Sequence, residues 1–517
     1  MKRRDFIRNS ALGAILPAVW GRNTFWSMGQ MSSPLMVNDN VLVVVQMAGG
    51  NDGLNTVIPV NQYSNYLKAR ENIAISESKL LSVSQSMDIG LHPSMMGIAN
   101  LMNQGQASIV HDVGYPNPNF SHFRATDIWN TGSDSSEYLE SGWAGRFLGI
   151  EHLNYPEGYP NEKYPDPLAI QIGTVVNTAL QGTFFNMGVA VNQVSGFYEL
   201  QEDNTTPVTS TLAGKELSFL REVTKQSNKY ADTIQTAAER VTQQKEYPDT
   251  KLADQLKIVA RLIAGGMKTK IYFVKIGGFD THSDQVESSD TSTGNHAELL
   301  KELSEAISAF QDDLKFLNIA DKVMGMTYSE FGRRIKSNGS AGTDHGAAAP
   351  MFLFGTKVNP TLFGTPTPLP TAAANDDNIV MQYDFRSVYA SILKHWFCVQ
   401  DNEIEEVLLK NFQSLQVVQA DVCGSLLGTN NDEQLKNLTV SPNIVRDHAV
   451  VNFTATDGHH KIQLFNTRGQ QVDILFDKIL TAGPQQFPID LSAKAAGTYF
   501  VRLQSKNKSE VFRVVKM

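Results

Sequence analysis

A small set of side chains in this sequence has the types and placement needed to bind a metal ion and split an ester. Asp52, His122, Asp280, His282, Glu330 and His345 are oxygen and imidazole donors suited to zinc first, or to manganese, magnesium or calcium. Each stands just after an apolar run that reads as a strand, or in a loop leading into one. Two such ions a few ångströms apart would clamp the attacking and leaving oxygens of a displacement at phosphorus or sulfur. Ser121 falls at the expected start of a helix, where a hydroxyl beside a metal can act as the nucleophile. Arg124, Arg333 or Arg334 can pair with the anion, and Arg124 is the first choice. An Asp-Gly turn or a single histidine means little alone. The repeated placement after successive strands is what points to one site.

The elements that must position these groups are legible as alternating runs. Val41–Gln46, Ala107–Asp112 and Lys270–Ile276 read as buried strands. The stretch from Val323 to Gly355 reads as a strand, a polar loop carrying Glu330, Arg333, Asp344 and His345, and a second apolar strand. Lys215–Glu246, Thr250–Gly265, His296–Leu317 and Asp384–Phe397 read as helices, while residues 140–215 read as loops and short strands capping the site. Helix alternating with strand predicts an α/β fold with a mostly parallel sheet flanked by helices. Ligands then bind beyond the carboxyl ends of the strands. After a polar linker at 425–436, short alternating strands over 437–517 predict a small antiparallel β-sandwich, with His459 and His460 as solvated turn residues.

Composition narrows the function classes. At 517 residues with 41% hydrophobic and 19% charged side chains, the chain is globular and too long for one core. Residues 1–30 carry five basic and one acidic side chain and residues 434–517 carry eleven and six, so a net charge of −9 implies a strongly acidic body. That excludes nucleic acid as the expected partner. No apolar run is long enough to span a membrane in the mature protein. Cys398 and Cys423 can pair outside the cytoplasm or stay as two buried thiols. The first 30 residues combine Arg3–Arg4, Phe6 and an apolar stretch from Ala11 to Trp20, which resembles a twin-arginine export signal.

Six segments in order, GGNDGLNT, the LHPSM stretch around His92, VGYPNPNFSHFRATDIW, GGFDTHS, SEFGRR and GTDHGAAAPMFLFG, resemble the bacterial domain-of-unknown-function family 1501 over roughly residues 38–420, within an α/β domain expected over 38–424. That family is similar to the alkaline phosphatase and sulfatase superfamily, so the resemblance implies an alkaline-phosphatase-like sheet. It also implies roles: Asp52 bridging metal and nucleophile, Ser121 as nucleophile, Asp280 with His282 as a metal pair, Glu330 as a ligand and His345 as the last histidine. One departure stands out. The histidine expected after Glu330 is Phe331, so a site lacks a ligand unless His122 or His111 replaces it. No sulfatase motif surrounds Ser121, which argues against formylglycine chemistry. SPNIVRDHAVVNF, IQLFNTRGQQV, AAGTYFVRL and EVFRVVKM resemble the sorting domain of the type IX secretion system of Bacteroidetes. The expected partners are therefore an anionic ester, glycan- or lipid-linked, the twin-arginine translocase and the type IX machinery. The route runs through the periplasm to the cell surface or beyond. The favoured reading is a metal-dependent hydrolase of phosphate or sulfate esters. The alternatives are a non-catalytic surface binder that keeps the fold, and a passenger with a structural role and no metal.

Overall fold

The computed structural model describes residues 38–424, apart from 153–154, 157, 184 and 193–229, and residues 439–516, apart from 442–443, 456, 467–470, 496 and 506–507. The export-signal residues 1–30 and the linker at 425–436 lie outside the described residues. Residues 36–426 cluster as one unit and residues 427–517 belong to another.

The body is built on strands β1 (Val41–Ala48), β2 (Ala107–Gly114), β3 (Ala169–Ile172), β4 (Gly188–Val191), β5 (Ile271–Gly277), β6 (Val323–Tyr328), β7 (Ala349–Phe354) and β8 (Tyr383–Asp384). They form one sheet in the order β8-β2-β7-β6-β1-β5-β3-β4. All neighbours run parallel except β7, which is antiparallel to both β2 and β6. The valine run of β1 shows why this strand is central. Val41, Val43, Val45 and Met47 face one core, and Leu42 and Val44 face the other. A strand buried on both faces has to be apolar at every position rather than alternating.

Helices cover both faces. Lys251–Ala264 (α3) and Asn295–Phe316 (α4) supply one core, and His122–Thr131 (α1), Trp143–Glu151 (α2) and Phe385–His395 (α5) the other. Thr250 and Asp384 cap α3 and α5 through side-chain bonds to Ala253 N and Arg386 N. No helix among the described residues is long and apolar enough to cross a membrane.

Two expected stretches differ. Within 140–191 the expected short strands are present, β3 inside the sheet and β4 at its edge, but the segment also forms the helix α2, and 193–215 lie outside the described residues. Its short runs, such as PLAIQI, are broken by Gly and Pro and carry too little periodicity to separate helix, strand and loop. Of the helix expected over 215–246, residues 230–239 are helical and 242–248 are not, and 215–229 lie outside the described residues. The non-helical part is tied to α4 instead: Gln244 Nε2, Lys245 N and Tyr247 Oη all donate to the Asp313 carboxylate.

Cys398 and Cys423 form a disulfide with Cα atoms 5.7 Å apart, closing a span of 25 residues. Loop closure of that length is worth about 3 kcal/mol. Replacing both cysteines by serine is expected to lower the unfolding free energy by that amount in urea titrations, and reductant should then have no further effect.

In the second unit, His448–Ala455, Gly458–Asn466, Gln471–Leu480, Gly483–Asp490, Gly497–Ser505 and Lys508–Lys516 pair into two small sheets that are antiparallel apart from a short edge pairing. Val451, Phe453, Ile462, Leu464, Val501 and Leu503 fill the core. His459 and His460 are not turn residues. They lie on a strand, so alternation sends His459 outward to Asp477 and buries His460 against Phe453.

Candidate metal centre

Strands β6, β1 and β5 are parallel neighbours, so their carboxyl ends open on one edge of the sheet. The loops leaving that edge carry Glu330, Asp52 and Asp280–His282. β2 runs in the same direction and leads through residues 115–121 into α1, which begins at His122. Because β7 is antiparallel, the loop that enters it brings His345 to the same edge. Five segments distant in sequence therefore meet where the topology of an open α/β sheet places ligands.

The central group is Asp280. Its Oδ1 is 3.2 Å from His345 Nε2 and 3.2 Å from His282 Nε2, and its Oδ2 is 3.3 Å from His122 Nε2. Ligand atoms of His122, Asp280 and His345 all lie within 4.8 Å of one another. His282 completes the group, its Nε2 2.9 Å from His345 Nε2. Behind the ring of Nε2 atoms, each imidazole is held by its other nitrogen. His345 Nδ1 donates to Phe120 O at 2.8 Å, His282 Nδ1 faces Asp344 Oδ1 at 3.2 Å, and His122 Nδ1 faces Glu330 Oε1 at 2.9 Å. An oxygen partner on Nδ1 assigns the proton there and leaves the lone pair on Nε2, the arrangement that orients histidine for a metal. Two lone pairs 2.9 Å apart repel unless a cation or proton lies between them. The donor set therefore fits a divalent ion.

The charges agree. Burial raises the Asp280 carboxyl, but the hydrogen bond and the charge of Arg333 lead the groups that outweigh it and hold it down to about 2. Burial lowers His345, which keeps it neutral near pH 7. Arg333 is fully buried and works as a clamp on the loops. It donates to Gly50 O, Thr343 O and Phe279 O at 2.7, 2.8 and 2.9 Å and to Asp280 Oδ1 at 2.8 Å. The loop after β1 must pass close to Asp280 for this to work. A Cβ on Gly49 would meet Asp280 N at 2.4 Å, and Gly49 has a φ of +127°.

Four of the expected ligands, His122, Asp280, His282 and His345, are thus brought together, and His122 rather than His111 is the histidine that joins them. Phe331 fills the place of the missing histidine as a packing residue, with its ring 4.9 Å from that of His122 and 4.4 Å from that of His345. His111 is buried away from the cluster, and burial pushes it down to about 4.

Three expectations need correction. Asp52 does not reach the cluster. It is fully buried, bonded through Oδ2 to Arg70 Nη1 at 2.5 Å and to Gln285 Nε2 at 2.6 Å. Burial raises its carboxyl, and the Arg70 charge more than reverses this. Glu330 stands behind His122 instead of beside it, its Oε1 shared between His122 Nδ1 and Gly49 N. Arg124 faces no anion site. Its guanidinium is occupied by Asp127, the carbonyls of Asp134, Ser135 and Glu137, and the Tyr138 ring. One helical turn separates Arg124 from Asp127, so the local pairing wins.

Ser121 is the exposed N-cap residue of α1 and makes no side-chain cap bond. It sits between Phe120, whose carbonyl holds His345, and His122 itself. Arg334, also among the arginines expected to pair with an anion, is placed differently. Gly332–Arg333 pairs as a short strand with His345–Gly346, so Arg333 and Arg334 point to opposite sides. Arg334 lines a pocket of about 450 Å³ together with Phe120, His282, Asp344, His345, Asn375 and Asp376. Residues with no sequence signal complete the support. Arg70 lies 18 positions beyond Asp52, and His296 donates from Nε2 to Asn51 Oδ1 at 3.1 Å.

No curated protein matches. Among solved structures, the chain is similar to a protein in the alkaline phosphatase superfamily from Vibrio parahaemolyticus, with 10% identity, 93% of this chain and 91% of that chain covered and a TM-score of 0.33. It is also similar to the PsFucS1 sulfatase from Pseudoalteromonas sp., with 11% identity, coverages of 88% and 84% and a TM-score of 0.33. TM-scores this low carry no inference about chemistry. Residues 439–517 match the secretion system C-terminal sorting domain, which marks the chain for secretion. Residues 39–387 match the family described as protein of unknown function (DUF1501), and the chain belongs to that family.

Proposed function

We propose that the protein is an exported, metal-dependent hydrolase of phosphate or sulfate esters with a single metal centre. The observation that carries the reading is the convergence of three imidazole Nε2 atoms on Asp280, with every Nδ1 tied to an oxygen. A divalent ion held by His122, Asp280, His282 and His345, zinc being best suited to this donor set, would supply Lewis-acid polarisation of the ester. The side chains supply the rest. Ser121 Oγ attacks phosphorus or sulfur, forming a covalent ester and releasing the alcohol, and water then frees the anion. The positive end of the α1 dipole and the Arg334 guanidinium neutralise charge on the non-bridging oxygens. Glu330 and Asp344 hold His122 and His282 in their tautomers.

The same reading covers transport. Residues 1–30 serve as a twin-arginine signal, residues 38–424 are the catalytic body, residues 425–436 a linker, and residues 437–517 address the protein through the periplasm to the type IX machinery.

Protein purified without chelator should hold one equivalent of metal by inductively coupled plasma mass spectrometry, and should turn over 4-nitrophenyl phosphate or sulfate. Ser121→Ala should reduce turnover at least 100-fold, with metal content and circular dichroism unchanged. Unchanged turnover would remove Ser121 from the mechanism. A full metal complement with no turnover of either ester would favour the surface-binding alternative.

A further inference from the structure

The pocket beside the metal cluster is lined by His282, His345 and Asp344 of the cluster and its support, and by Arg334, its one guanidinium. The guanidinium carbon of Arg334 lies 6.0 Å from the Phe120 ring centroid, and Nη1 is buried without a hydrogen-bond partner. A buried, unmatched guanidinium N–H is costly to leave so, which makes it a ready receptor for an anionic oxygen.

The turn at 374–378 adds Asn375 and Asp376 to the lining. The structural work of that turn falls to the next residue. Asp377 Oδ2 accepts from Ala374 N at 2.8 Å, and Asp377 O accepts from Ile335 N at 3.1 Å, which ties the turn beside Arg334. Asn375 and Asp376 are both exposed. An amide next to a carboxylate offers one donor group and several acceptors, the pattern that matches neighbouring hydroxyls on one small molecule. The lining contains no aliphatic side chain, and its one aromatic ring, Phe120, is shared with Arg334. The volume of about 450 Å³ suits a small ligand.

We propose that this pocket selects esters of a hydroxyl-rich, sugar-like alcohol over lipid or simple alkyl esters, with Arg334 gripping the anion and Asn375 and Asp376 reading the hydroxyls of the alcohol. The inference rests on the hydrolase reading for its orientation toward the cluster, and it assigns the substrate class of that site.

The test is direct binding to metal-loaded full-length protein by calorimetry, which reads affinity without turnover. The probes are glucose 6-phosphate, hexyl phosphate and inorganic phosphate. Glucose 6-phosphate should bind at least tenfold more tightly than hexyl phosphate. Asn375→Ala with Asp376→Ala should erase that difference while leaving the affinity for inorganic phosphate unchanged. Arg334→Met should weaken all three anions at least tenfold, as expected for the loss of a charged hydrogen bond. Metal content should stay constant in each variant. Hexyl phosphate binding as well as the sugar ester, or a sugar preference that survives the double variant, overturns the proposal. Sugar preference through Asn375 and Asp376 in protein that hydrolyses no ester would overturn the hydrolase reading and leave the pocket assignment standing.

Discussion

Asp280→Asn is expected to cost the protein its metal. Three imidazole nitrogens converge on this carboxylate at 3.2–3.3 Å, so its negative charge is the one feature they share. An asparagine keeps the shape, halves the acceptor capacity and removes the charge. Replacing a group that only orients a ligand typically weakens metal binding 10–100-fold, and a direct ligand should exceed that range. Retention of metal after desalting, measured by mass spectrometry, should therefore fall from one equivalent to a small fraction. Folding should be unaffected, because Arg333 keeps the carbonyls of Gly50, Phe279 and Thr343 as partners. Glu330→Gln is the graded comparison: it should weaken binding within the 10–100-fold range, since Glu330 acts through His122. Equal metal retention in wild-type and Asp280→Asn protein would remove the centre from the account.

Arg70→Met is expected to produce the largest loss of stability, about 3–5 kcal/mol, because it leaves the Asp52 carboxylate buried and unpaired. The pair has 0% side-chain exposure on both partners, so no water can take over from the guanidinium. Arg70 also donates to Ile335 O and Arg334 O at 2.9 and 2.7 Å, which adds two orphaned carbonyls to the cost. Asp52→Asn combined with Arg70→Met should recover part of the loss, since the uncompensated charge is then gone. Urea titration measures both. Metal content separates the roles of Asp52. If it served as a ligand, Asp52→Asn would release metal, whereas the ion pair predicts full retention.

These two residues show where reading by sequence stops. Asp52, after its Val run and Gly-Gly turn, has the type and placement of a ligand, and only the approach of Arg70 in space turns it into half of an ion pair. The same holds in part for Arg124, taken by Asp127 on its own helix and by carbonyls of a loop that folds back onto α1. It holds for the choice between His122 and His111: His111 lies within β2, inside the sheet, and His122 beyond the strand's open end.

What the sequence determined by itself was the alternation of buried strands and amphipathic helices, the polar groups at strand ends, and the change of texture before the C-terminal sandwich. All of these follow from local periodicity, which the chain carries wherever it is read. The tertiary structure decided which of the polar groups meet. Strand order and direction are global properties: placing β6, β1 and β5 side by side and reversing β7 brings Glu330, Asp280 and His345 to one edge. The division between groups that converge and groups that support them depends on contacts far apart in sequence, such as Glu330 behind His122 across 208 positions and Arg333 behind Asp280 across 53, and no local pattern encodes those.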